Sequence, residues 1–185
     1  MVDIEIENLE DARVRAEQYI KECYNNMQEL TSEVSGIYTW DSTFIHGGDE
    51  MPYKDREFFK AIWHASTEIL PALEVQVVID GKDNCYVTTG SSGYVEFGMK
   101  PPVGMTLPIK CWIHTHPFGA AYFSGVDWGT VNVWKSLMQE AYVLGGVEHY
   151  GYWHNSKPDL LMIRYLDNNG LETFRGQMQN RGEEE

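Results

Sequence analysis

A chain of 185 residues, 43% hydrophobic and 13% aromatic, has the apolar content for one folded core with room for an added element, which excludes global disorder. Its formal net charge of −14, from 28 acidic against 14 basic residues, argues against a nucleic-acid binder, whose footprint is basic. No run approaches the roughly eighteen apolar residues of a membrane span, and the acidic start Met1–Glu5 lacks a signal-type apolar stretch. The three cysteines, Cys23, Cys85 and Cys111, are odd in number and form no paired motif, so a reducing, cytoplasmic setting is expected.

Between Leu9 and Val34 apolar residues recur at helical spacing (Leu9, Ala12, Ala16, Tyr19, Cys23, Met27, Leu30, Val34), which predicts one long amphipathic helix. The stripe packs on the chain's own core or, since its spacing nears 3.5 residues, forms a homodimer seam or partner-docking face. Turn formers and aromatics from Ser35 to Asp55 predict an ordered loop in which His46 is a surface residue. Residues 1–52 thus form an N-terminal helix-and-loop extension, 53–178 the main domain and 179–185 an acidic tail. A second helix is expected from Lys54 to Leu70, with Phe58, Phe59, Ile62, Trp63 and Ile69 on one side and Pro71 ending it. His64 and Glu68 on this helix are read as structural or exposed, with Glu68 a reserve candidate for a catalytic base. Strands follow at Glu74–Gly81, Cys85–Thr88 and Tyr94–Phe97. The intervening Gly90-Ser91-Ser92-Gly93 is a turn without the lysine of a phosphate loop.

The densest chemistry lies in Cys111-Trp112-Ile113-His114-Thr115-His116-Pro117, followed after a six-residue loop by Ser124-Gly125-Val126-Asp127. On a strand, residues two apart share a face, so His114 and His116 project the same way with α-carbons roughly 6–7 Å apart. Cys111 faces the other way and is rejected as a ligand. Pro117 ends the strand, Ser124 is an N-cap, and Asp127 falls in the first turn of a helix expected to run to Glu140, with Val131, Val133, Trp134 and Leu137 inward. Two imidazoles and one carboxylate make an open three-ligand zinc set, one ion per chain, with the fourth position left for water. Strands at Ala141–Leu144, Glu148–His154, Leu160–Leu166 and Leu171–Phe174 complete the chain, with a turn at Asn168-Asn169-Gly170. His149 and His154 are read as surface imidazoles.

The pattern His-x-His-Pro, six residues, Ser-x-x-Asp closely resembles the signature of the JAMM (MPN-type, Mov34-like) zinc metallo-isopeptidases. That family also carries an upstream glutamate, and Glu74, forty residues before His114, stands on a strand that resembles it, with Gly81 seven residues on; Val77 replaces a small residue common there. The resemblance covers roughly Tyr53 to Phe174. It implies an α/β fold with a mixed, largely antiparallel sheet flanked by helices, to which the N-terminal helix is added. It also implies zinc on His114, His116 and Asp127, Glu74 as general base and acid, and Ser124 as donor to the oxyanion. The expected activity is hydrolysis of an isopeptide or peptide bond at the C-terminus of a ubiquitin-like or similar small protein. The alternatives are a scaffold or binding module without catalysis, or a related metallo-hydrolase of small peptide or amino-acid conjugates.

Overall fold

The computed structural model describes residues 2–35, 53–89, 104–145, 149–155, 160–165 and 172–177. His46, the expected strand Tyr94–Phe97, the turn at residues 168–170 and the acidic tail lie outside the described residues. Helices α1 (Val2–Ser35), α2 (Tyr53–His64) and α3 (Gly125–Trp134) accompany strands β1 (Val75–Ile79), β2 (Cys85–Thr89), β3 (Ile109–His116), β4 (Met138–Gly145), β5 (His149–His154), β6 (Leu160–Tyr165) and β7 (Glu172–Gln177). They form one mixed sheet in the order β2-β1-β3-β4-β5-β6-β7, antiparallel at every pairing except β3 with β4. A parallel pair needs a crossover, and α3 with the loop before it supplies one. The frame is therefore α/β with a largely antiparallel sheet. No helix among the described residues is long and apolar enough to cross a membrane.

Strand periodicity divides the core in two. Val75, Val77, Ile79, Cys111, Ile113, Tyr142, Leu144, Tyr150 and Tyr152 cover one face, packed under Ala12, Ala16, Ile20 and Tyr24 of α1 and Phe58, Phe59 and Ile62 of α2. Val78, Trp112, Ala141, Val143 and Trp153 cover the other, packed against Phe123 and against Val131 and Trp134 of α3. Cys111 and His114 accordingly stand on opposite faces.

Three features differ from the sequence reading. On α1 the buried stripe runs Ala12, Ala16, Ile20, Tyr24 at steps of four, while Tyr19 is exposed. This stretch packs on the chain's own core. Helix α2 ends at His64 and continues as one π-helical turn, Ala65–Ile69. There the Leu70 amide reaches back five residues to the Ala65 carbonyl, and the Ser66 hydroxyl bonds the Leu73 carbonyl at 2.6 Å and Thr115 Oγ1 at 2.8 Å. Helix α3 stops at Trp134, not Glu140, because the chain from Met138 is taken up as a strand beside Ile109. Val131 and Trp134 point inward as expected, but Val133 and Leu137 are exposed.

Candidate metal centre

His114 and His116 sit in the last three residues of β3, the carboxyl end of the parallel pair, where α/β sheets place their ligands. The crossover then brings α3 back over that end. Ser124 caps α3 with extended backbone angles: its Oγ accepts from the Asp127 amide at 3.2 Å, and Asp127 Oδ2 accepts from the Ser124 amide at 2.8 Å. This capping box locks the carboxylate in place. Asp127 Oδ2 lies 3.1 Å from His114 Nε2 and 3.1 Å from His116 Nε2. One donor atom from each of the three residues falls within 4.8 Å of the others. A helix cap and a strand alternation thus converge on one point.

The surroundings fix each ring. Trp112 stacks on His114 with centroids 4.4 Å apart and planes 14° from parallel, and Phe123 leans on it at 6.0 Å. His116 Nδ1 faces the Ala120 carbonyl at 3.3 Å. A carbonyl only accepts, so this contact calls for a proton on Nδ1 and leaves Nε2, beside Asp127, as the nitrogen that would face a metal. His114 is buried, and neither of its nitrogens makes a well-formed hydrogen bond among the described residues. Gln76, paired with His114 across β1 and β3 and therefore on the same face, has a buried Oε1 in the same condition.

The charges follow from these contacts. Burial pushes the His114 imidazole below its ordinary value against the pull of Asp127, which keeps the ring neutral. Burial works in the same direction on His116, but Asp127, the Ala120 carbonyl and the Glu74 carboxylate outweigh it and raise its value. Asp127 also pays for burial, yet the two imidazoles and the Ser124 amide hold its carboxyl far below the usual carboxylate range. An ionised oxygen beside two imidazole nitrogens is a donor set that fits a divalent ion such as zinc.

Glu74 is buried immediately before β1. The antiparallel register ends at Gln76 opposite His114, and the Val75 amide is taken by Thr115 Oγ1 at 2.9 Å. Continued by two residues, that register sets Glu74 across from His116 on the site's face, consistent with its charge acting on that ring. Glu68, the reserve base, is exposed on the π-helical turn, which packs against the sheet's other face, and is not part of the centre. His64 is exposed and touches Tyr19, with centroids 5.3 Å apart. His154 is half-buried next to Tyr152. Trp112, Gln76 and Ala120 were not singled out by sequence. The first two follow from strand parity once His114 is placed, whereas the Ala120 contact depends on the loop's path.

No family model matches the chain, and no curated protein and no solved structure matches it either.

Proposed function

We propose that the chain is a zinc-dependent hydrolase of the JAMM (MPN-type) kind, cleaving an isopeptide or peptide bond at the C-terminus of a ubiquitin-like or similar small protein. The observation that carries this reading is the convergence of His114, His116 and Asp127 within 4.8 Å, with a buried glutamate on the same face of the sheet. When bound there, zinc supplies Lewis acidity toward a carbonyl oxygen and toward a water. The chain's own residues do the rest. Glu74, buried on the site's face of the sheet, takes a proton from the attacking water and passes it to the leaving amine. Ser124 Oγ accepts the Asp127 amide through a lone pair, which leaves its hydroxyl hydrogen to donate to the oxygen that gains charge. His114 and His116 would offer their Nε2 atoms to the ion, and the capping box keeps Asp127 from turning away.

The experiment that tests this reading is the zinc content of protein purified without chelator, beside Asp127→Ala. About one zinc per chain in the wild type and little in the variant is the expected result. A folded wild type that neither carries zinc nor takes it up would overturn the reading and favour a binding module.

A further inference from the structure

Two glycines on neighbouring strands form a seat beneath the loop that joins β3 to α3. Gly145 ends β4 and is paired with His116; Gly151 lies inside β5, paired with Val143. Both stand on the face that carries His116. A Cβ on Gly145 would collide with the Ala120 carbonyl carbon, and would lie 2.5 Å from the Ala121 amide nitrogen and 2.7 Å from the Ala120 oxygen. A Cβ on Gly151 would lie 2.8 Å from the Ala121 oxygen and 2.8 Å from Val143 Cγ1. Apart from Val143 Cγ1, the atoms met are backbone and cannot rotate away. The loop backbone therefore rests directly on the sheet, as glycine in a strand permits. Ala121, at the contact, and Phe123 beyond it are buried, while Tyr122 between them is exposed.

The seated atom matters to the metal centre. The Ala120 carbonyl accepts from the Tyr122 amide at 2.9 Å and, with its other lone pair, faces His116 Nδ1 at 3.3 Å. The Gly119 amide, bonded to the His116 carbonyl at 3.1 Å, closes the turn from below. We infer that Gly145, aided by Gly151, is a positioning residue for the metal centre: it lets the Ala120 carbonyl come down onto His116 Nδ1 and so fixes the tautomer and ring plane that aim Nε2 at the metal. This inference rests on the metal-centre reading and extends it to residues that touch neither metal nor substrate. It also makes the 118–123 loop a fixed wall rather than a lid, with exposed Phe118 and Tyr122 carried on a backbone that the sheet holds.

A methyl group at position 145 must lift the loop by about 1 Å to reach ordinary contact distance, which breaks a 3.3 Å contact. The test compares wild type, Gly145→Ala and Gly151→Ala by zinc affinity in chelator competition. In parallel, the His116 tautomer is read by long-range proton–nitrogen NMR in metal-free protein. Loss of an outer partner of a ligating histidine lowers metal affinity by roughly 10–100-fold, and that loss is expected for Gly145→Ala, with His116 no longer held as the Nδ1–H tautomer. Gly151→Ala, which meets the neighbouring peptide, moves both readouts the same way but less, and answers the question if Gly145→Ala does not fold. Unchanged zinc affinity and an unchanged His116 tautomer in a folded variant would overturn the inference. A wild type that takes no zinc would instead remove the metal reading, and the tautomer comparison would still decide whether the seat orients His116.

Discussion

β1 is flanked by buried carboxylates, Glu74 before it and Asp80 after it, and the two ends of the strand have opposite characters. At the Asp80 end the carboxylate accepts from the Lys82 amide at 2.9 Å, the Asn84 amide at 2.9 Å, Asn84 Nδ2 at 3.2 Å and the Thr106 amide at 2.9 Å. The carboxylate closes the β1–β2 turn and ties it to the segment entering β3. A cavity of about 500 Å³ opens nearby, between residues 106–110 and the end of β5, but two of its polar groups are already engaged. Lys110 reaches both oxygens of Asp83, and Asn155 Nδ2 bonds the Met138 carbonyl. At the Glu74 end the carboxylates face imidazoles, and the nitrogens of a buried ring make no well-formed bond among the described residues. Equal burial thus has two meanings. A carboxylate surrounded by fixed amides holds the chain together, while one beside imidazole nitrogens can take part in chemistry.

The largest effect expected from this contrast is in turnover, at the Glu74 end. Glu74→Gln keeps the shape and removes the proton acceptor, so zinc content should stay at the wild-type level while turnover of a cleavable peptide or isopeptide falls by roughly 10²–10⁴-fold. Wild-type turnover in that variant would take Glu74 out of the mechanism. Ser124 comes next, since it serves both as cap and as donor. Ser124→Ala should lower turnover by roughly 10²–10³-fold and stability by about 1 kcal/mol in urea unfolding. Ser124→Gly separates the two roles, because glycine caps almost as well: stability returns to within a few tenths of a kcal/mol while turnover stays low. Recovery of turnover with glycine would leave Ser124 a cap alone.

How much of this was legible in the sequence depends on whether local spacing or distant packing decides a position. His114, His116 and Asp127 are related by strand parity and by a capping box, both short-range rules, and the fold brings the three together as those rules require. The shared face of Trp112 and the opposite face of Cys111 follow from the same parity. The step-of-four stripe on α1 was not legible, because whether Tyr19 or Ile20 turns inward depends on which surface the helix meets. The π-helical turn is set by Ser66 bonding Thr115, forty-nine residues away. The early end of α3 is set by β4 pairing with β3, a long-range ladder that outweighs helical spacing over residues 135–140. Gly145 and Gly151 stood in plain view as glycines in strands, a sign of close backbone approach, but nothing local says which backbone approaches.

Effects at the Asp80 end should appear in stability and leave zinc alone. Asp80→Asn replaces one acceptor oxygen by a donor among donors, at a cost of about 2–3 kcal/mol in urea unfolding, with zinc content unchanged. Burial raises the Asp80 carboxyl, but the amides of Thr106, Asn84 and Lys82 and the Asn84 side chain outweigh it and hold the group below its ordinary value. A depressed folded value means that the stabilisation is complete above the unfolded value, near pH 4, and is lost as pH falls through the folded one. The gap between wild type and Asp80→Asn should therefore be constant from neutral pH down to about pH 5 and close below about pH 4. A gap that widens on acidification would mean that Asp80 is not held ionised by those amides. The smallest effect belongs to the Lys110–Asp83 pair beside it, 2.9 Å apart and partly exposed. Lys110→Met keeps the aliphatic stem and removes the charge, so the loss should be about 0.5–1 kcal/mol and should shrink in 1 M salt. A larger, salt-insensitive loss would show that the pair is shielded from solvent, and would make the Asp80 end electrostatically as dry as the metal end.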